Sequence, residues 1–339
     1  MAQPIKQLKN PKYFYELTIS SSPHAHSPVT TQVVMRDVLI ALLPALLGSI
    51  SFFGLRALMV TLVSASACAF FEWAYRKLMK LDSTVYDLSA VVTGVLLSFV
   101  CPVTIPYWMI IIGDLFAIVL VKQLFGGIGK NFMNPALAAR AFMFSWPVAM
   151  STWVKVGFEN AAGLLSTADA VTAATPLAAM HAGSLEGVSI KALFLGNVGG
   201  CIGETSALLL LIGGVYLVIR KVISPRIPLA FIGTVAVIAL VAPQGNNPME
   251  WMLASVCSGG VMLGAIFMAT DYVTSPITHK GQIIFGIGCG VITMVIRYFG
   301  AYNEGVSYAI LVMNACVVLL DKVGRPKKFG APKKEAGKK

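Results

Sequence analysis

The sequence predicts an all-α integral membrane protein, with about ten transmembrane helices in two inverted five-helix repeats. Three observations predict it. Of the 339 residues 57% are hydrophobic and only 12% charged, against about 25% charged in a soluble domain. The mean hydropathy of +0.77 comes from long apolar runs cut by short polar breaks. The excess of Lys and Arg, a net charge of +11, sits mostly in alternate breaks, as membrane topology requires. A water-soluble globule, a disordered chain and a disulfide scaffold are thereby excluded, and the charge reads as topology, not as a nucleic-acid surface.

The N-terminal arm, residues 1–37, is polar. It has no apolar core followed by a small-residue cleavage site, so no signal peptide is expected and the first apolar run is read as a retained anchor. The first repeat, 38–150, holds apolar runs at 38–53, 57–71, 88–100, 107–124 and 135–150. The second, 204–321, holds runs at 204–219, 227–241, 251–268, 283–299 and 308–321. Several are shorter than the roughly 20 residues that cross a hydrocarbon core unaided, so tilted or broken helices are expected. The third and fifth runs are interrupted near Gly94, Pro102, Pro135 and Pro147, and breaks at membrane depth need cover from protein or a water-filled cavity.

Orientation follows from the basic residues. With the ten runs crossing in turn, 21 of the 26 Lys and Arg fall on one side, eight of them in the tail 322–339. Both termini are therefore expected to be cytoplasmic. Lys122 and Lys130 are counted as charges of one such break. The longest interruption, 151–203, then lies outside the cytoplasm and separates two sets of five runs. An odd number per set puts the halves in opposite senses, the arrangement of inverted repeats. Gly126-Gly127-Ile128-Gly129-Lys130-Asn131 and Gly199-Gly200-Cys201-Ile202-Gly203-Glu204 resemble each other faintly, which close helix packing explains equally well.

The six cysteines show no C-x-x-C spacing and no neighbouring His cluster, so neither an iron–sulfur nor a zinc motif is present and no metal ligands are assigned. Charges near membrane depth are candidates for an ion path: Asp114, Glu204 and Asp271. Each has a structural reading beside it, since Glu204 and Asp271 fall at span ends where capping or pairing suffices.

The string Asp169-Ala170-Val171-Thr172-Ala173-Ala174-Thr175 lies in the outer loop. It matches the pattern Asp-x-x-Ser/Thr-Gly-Ala-Ser/Thr, at which flavin mononucleotide is joined to threonine by a phosphodiester bond, except that Ala173 stands where Gly is usual. Further stretches occur in family order: Ser22-Pro23-His24-Ala25-His26, Gly129-Lys130-Asn131 running into Asn134-Pro135-Ala136, Gly203-Glu204-Thr205-Ser206, Phe267-Met268-Ala269-Thr270-Asp271 with Thr274-Ser275-Pro276, and Met313-Asn314. On these residues the chain resembles the NqrB/RnfD family: the D subunit of the Rnf ferredoxin:NAD oxidoreductase, which moves sodium ions or protons, and more distantly the B subunit of the sodium-pumping NADH:quinone oxidoreductase.

The resemblance implies a covalent FMN on Thr175, with Thr172 and Asp169 in the string read by a flavin transferase. It also implies a second, noncovalent flavin, riboflavin, without assigning its contacts. Independently of the resemblance, Asn131, Asn134, Thr270 and Thr274 flank broken or terminal helix segments, where they could hydrogen-bond a flavin ring or simply satisfy freed backbone groups. The implied role is a subunit that relays electrons between ferredoxin and NAD partner subunits in a bacterial inner membrane, without stand-alone activity or catalytic residues of its own. The alternatives are the B-type subunit and a flavin-free channel or transporter of the same architecture.

Overall fold

The computed structural model describes residues 29–153, 175–181, 183, 185, 189–204, 206–300 and 304–324. Asp169 and Thr172 lie outside the described residues. The chain divides into two compact units, Met1–Thr30 and Thr31–Lys339, and every described helix belongs to the second. All regular structure among the described residues is helical.

Helix α1 (Thr31–Phe53) turns directly into α2 (Leu55–Leu78) at Gly54, whose φ of 77° is open to glycine at no steric cost. Helix α3 (Ser89–Phe99) is buried at all residues but Val91, the mark of a helix enclosed on every side. It lies so close to α2 that a Cβ on Gly94 would stand 2.7 Å from the Ser64 carbonyl oxygen. Helix α4 (Tyr107–Leu115) continues as a π-helical segment, Phe116–Gln123. Helix α5 (Pro135–Met143) starts sharply because Asn134 Oδ1 accepts from the amides of Ala136 and Leu137 and Pro135 occupies the first turn.

Short helices follow at α6 (Pro147–Met150), α7 (Pro176–His181) and α8 (Ile190–Leu195). The second set comprises α9 (Ala207–Ile219), α10 (Arg226–Val241), α11 (Pro248–Cys257), and α12 (Val261–Leu263) with its π continuation Gly264–Met268. It ends with α13 (His279–Phe299) and α14 (Val306–Gly324).

A helix lies within each of the ten apolar runs, but they are not alike. Helices α1, α2, α13 and α14 are long and apolar enough to cross a membrane by themselves, and α11 with α12 does so only as a pair bent by 59°. Among the other runs, α3, α9 and α10 are shorter apolar helices. The fifth run stops as a helix at Met143, and a turn through Phe144–Trp146 precedes α6. Outward-facing apolar side chains, Phe299 being 84% exposed, give these helices a surface suited to lipid.

Two buried guanidinium groups make the breaks tolerable. Arg56 on α2 donates from Nε to the Val103 carbonyl at 2.8 Å and from a terminal nitrogen to those of Thr104 and Ile105, in the break between α3 and α4. Arg297 on α13 donates to the carbonyl of Ser255 in the last turn of α11 at 2.7 Å and to those of Ser258 and Gly259, in the break between α11 and α12, at 2.9 and 2.8 Å. Carbonyls that a broken helix leaves without amide partners are thus satisfied inside the protein, as the hydrocarbon environment demands.

One reading of the topology is corrected. Lys122, counted as a loop charge, lies in the π segment and is buried. Its Nζ donates to Glu72 Oε2 and Ser89 Oγ at 2.9 and 2.7 Å, while Gln123 and Thr84 donate to the other Glu72 oxygen. A charge paired and hydrogen-bonded in this way has no topogenic work left to explain it. The likeness of the two glycine strings does not extend to the backbone either: Gly126, Gly127 and Gly129 have positive φ, whereas Gly199, Gly200 and Gly203 do not.

Candidate functional site

Helix α5 connects two cavities. At its N-terminal end a cavity of about 90 Å3 is lined by Lys122, Asn131, Asn134, Thr270 and Asp271 among apolar side chains of α1, α3 and α9. Near its C-terminal end a cavity of about 260 Å3 is lined by Arg140, Trp153, Thr175, Glu204, Gly259 and Glu304, among others. Nine residues of α-helix span about 14 Å, which sets the scale of their separation. Helix α12 and its π continuation run the other way, from Gly259 and Gly260 near the larger cavity to Phe267 and Thr270 at the smaller one.

The Thr175 cavity is built where five separated stretches meet. Thr175 immediately precedes α7, and its Oγ1 accepts from the Ala178 amide at 3.2 Å, which fixes the residue at the helix start. Arg140 projects from α5 and is 2% exposed. Both of its terminal nitrogens donate to the Glu304 carboxylate, one at 2.7 Å, and one also donates to Ser307 Oγ at 2.9 Å. The same guanidinium approaches Glu204 at 3.6 Å and sits over the Phe144 ring. Sequence reasoning misses Glu304 altogether. Its partner stands 164 residues away, and only the acid itself, in Asn303-Glu304-Gly305 ahead of the last apolar run, marks the position.

A second grouping was also beyond the reach of spacing. Cys201 Sγ and one oxygen each of Glu204 and Glu304 lie within 4.8 Å of one another, a set that could hold a metal ion. No local motif announces it, because the ligand atoms come from a turn and from a stretch a hundred residues later. All six cysteines are free; Cys68, Cys101, Cys201 and Cys289 are buried. Cys101 and Cys201 come together in the break after α3, where the Ile202 amide donates to the Cys101 carbonyl at 3.0 Å.

At the Asn134 cavity the sequence candidates do converge. Asn131 and Asn134 approach from the loop before α5, Thr270 and Asp271 from the end of the second π segment. Asn131 Oδ1 is buried without a hydrogen-bond partner among the described residues. Asn134 Nδ2 donates to the Met268 carbonyl, and Thr274 Oγ1 donates to Asp271 Oδ2 at 3.0 Å. Asn314 ties the two loops: with its amide oriented to satisfy both ends, it donates to the Thr274 carbonyl and accepts from the Asn134 amide. Thr274 therefore supports the cavity through Asp271 and Asn314, and Thr270 Oγ1 is spent on the Ile266 carbonyl.

Asp114 lies at neither cavity. It is fully buried on α4, with Oδ1 accepting from Ser64 Oγ at 2.7 Å and Cys68 Sγ at 3.1 Å.

Residues 18–330 match the NQR2, RnfD, RnfE family. The chain belongs to that family. Among its relatives, the D subunit of the Na(+)-translocating ferredoxin:NAD(+) oxidoreductase complex of Acetobacterium woodii is 48% identical over 321 residues, covering 94% of this chain and 96% of that protein. The D subunit of the proton-translocating ferredoxin:NAD(+) oxidoreductase complex of Clostridium ljungdahlii is 44% identical over 328 residues, with 92% and 96% covered. That of the ion-translocating oxidoreductase complex of Stutzerimonas stutzeri is 38% identical over 327 residues, with 88% and 91% covered.

Proposed function

We propose that this chain is a multi-pass inner-membrane subunit of an Rnf-type complex, that it carries covalent FMN on Thr175, and that it relays electrons between ferredoxin and NAD partner subunits with translocation of sodium ions or protons. The observation that carries the reading is the position of Thr175. The residue that the acceptor pattern singles out stands on the wall of the larger cavity, beside a buried arginine.

The residues there fit such a group. Thr175 supplies the hydroxyl for the phosphodiester, and Arg140 supplies positive charge on the same wall. Trp153 and Phe144 give flat apolar walls for a ring system. Gly200 leaves open space, since a Cβ there would meet nothing within 4 Å. When bound, a flavin contributes one- and two-electron chemistry of its own, and the protein contributes position and electrostatics. Arg140 holds a fixed charge near the site because Glu304 and Ser307 pin its guanidinium. The covalent link keeps the cofactor from escaping into the outer aqueous phase.

The noncovalent flavin, riboflavin, is placed at the Asn134 cavity, whose about 90 Å3 takes only part of the ring system; the partnerless Asn131 Oδ1 offers an acceptor there, and Lys122 lines the wall with its ammonium bound to Glu72 and Ser89. Two flavins placed so would stand at opposite ends of α5, which suits a relay. The opposite running of α5 and α12 between the cavities accords with an inverted-repeat arrangement; the same proposal takes 38–150 and 204–321 as the repeats, with ten crossings in all and both termini cytoplasmic, on the apolar runs and the charge count of the sequence. Partner subunits of the complex, a flavin transferase during maturation and the lipid bilayer complete the setting.

The test is in-gel flavin fluorescence of the denatured chain, expressed with its transferase. The band of the unsubstituted chain and of Thr172→Ala fluoresces, and that of Thr175→Ala does not. Fluorescence retained in Thr175→Ala removes the assigned acceptor. A dark unsubstituted band favours the channel reading.

A further inference from the structure

Another cavity, of about 420 Å3, opens where the C-terminal end of α9 meets the starts of α10 and α13. It is larger than either cavity described above and falls within the range of small-molecule sites, about 300 to 1,000 Å3. Its lining is of two kinds: Lys221, Ser275 and Gln282 are polar, Val218 and Ile227 apolar, and no acid takes part.

The charge in this cavity is unpaired. Among the described residues the Lys221 ammonium has no acid partner and the Ser275 hydroxyl no hydrogen bond. Gln282 Nε2 donates to the Pro276 carbonyl, and its Oε1 accepts from Ser224 Oγ at 3.2 Å and from Arg226 at 3.5 Å, which holds a second cation at the rim. The acids of the surrounding elements are engaged elsewhere: Asp37 by Arg220, Asp271 by Thr274, and Asp321 by the amides of Ile277 and Thr278. Helix α10 starts behind Pro225 without a side-chain cap, so the positive end of its dipole adds to the same field.

Lys221 also stands where glycine is usual. Its amide donates to the Val218 carbonyl at 3.0 Å and that of Val222 to the Leu217 carbonyl at 2.9 Å, the bonds of a helix end closed by a left-handed residue. The φ of Lys221 is 57°. A lysine is kept here against the strain that glycine would avoid. Beside the cavity the surface turns apolar, with Ile219 72% and Leu229 69% exposed. A cationic hollow next to lipid-facing side chains fits an amphiphile with an acidic head.

We propose that this cavity binds the phosphodiester headgroup of an anionic phospholipid. Lys221 pairs with the phosphate, Ser275 donates to it, and the acyl chains lie along the exposed apolar side of α9 and α10. A free phosphate would use the polar groups and gain nothing from the apolar surface beside them. The site draws on the membrane reading of the chain and is independent of both flavins.

Native mass spectrometry of the full chain in detergent tests this, by titration with phosphatidylglycerol and with phosphatidylcholine of the same acyl chains. The unsubstituted chain retains phosphatidylglycerol at the lower lipid concentration. Lys221→Gly removes the ammonium and suits the left-handed backbone, so folding is not in question. Its retention of phosphatidylglycerol should fall about fivefold, the attraction of one lysine for an anionic lipid surface, with phosphatidylcholine unaffected. Lys77→Gln, which removes a charge at the end of α2, should leave retention unchanged, as should added inorganic phosphate. Equal retention of the two lipids, or an equal loss in Lys77→Gln and Lys221→Gly, overturns the proposal. Displacement of the lipid by inorganic phosphate overturns it in favour of a soluble ligand.

Discussion

Removing the positive charge of Arg140 is the most informative perturbation of the larger cavity. Arg140→Gln deletes the two donations to Glu304 and the bond to Ser307, and leaves Glu204 and Glu304 without their cation. A unit-charge pair about 4 Å apart is worth ~4 kcal/mol at an effective dielectric of about 20. Breaking a buried pair by removing one partner typically costs about 3 to 5 kcal/mol, because the remaining charge is left uncompensated. Arg140→Gln should therefore lower stability by roughly 3 kcal/mol or more by this reasoning, and Arg140→Gln with Glu304→Gln should recover a large part of the loss. The assay is denaturant unfolding in detergent, read as a double-mutant cycle, with a coupling of about 2 kcal/mol expected for a directly bonded charged pair. A coupling under about 0.5 kcal/mol, the level of independent sites, would refute the reasoning and show the pair to be solvated.

Three other outcomes follow from the fold. Arg297→Met leaves the carbonyls at Ser255, Ser258 and Gly259 without their donor; with hydrogen bonds to charged groups worth about 1.5 to 3 kcal/mol each, the bend between α11 and α12 should open, and amide hydrogen exchange at residues 255–264 should rise well before exchange in α1. Gly94→Ala drives a methyl into the Ser64 carbonyl oxygen at 2.7 Å, and overpacking of this kind costs about 1 to 3 kcal/mol; an unchanged unfolding midpoint would mean that α2 and α3 separate freely. Lys122→Met leaves Glu72 buried with neutral donors only, so it should destabilise the chain by roughly 3 kcal/mol and reduce riboflavin retained by the purified chain, whereas Lys122→Met with Glu72→Gln should restore stability without restoring the flavin.

What the sequence could disclose was decided by range. Apolar runs alone marked α1, α2, α13 and α14, because a membrane helix writes its length directly into composition. Asn134 followed by Pro135 announces the start of α5 in the same local way. The two π segments left no such trace, since Phe116–Gln123 and Gly264–Met268 read as ordinary apolar helix and differ only in how the backbone bonds. Arg56 and Arg297 likewise look like misplaced charges until the carbonyls they hold, about forty to fifty residues away, are brought beside them. Thr175 and the Asn134 loop were singled out by pattern, and the structure places each on the wall of a cavity. Glu304 was not, for its meaning depends on Arg140 and Glu204, which only the assembled bundle places against it.

The central claim is that Thr175 carries a flavin through its hydroxyl oxygen. Intact mass spectrometry of the full chain, purified after expression with a flavin transferase and compared with Thr175→Ala, tests it most directly. The expected result is a chain heavier than its amino acids by one FMN less one water, and a Thr175→Ala chain of unmodified mass. A native chain weighing only what its residues weigh, or an adduct that persists in Thr175→Ala, would contradict it.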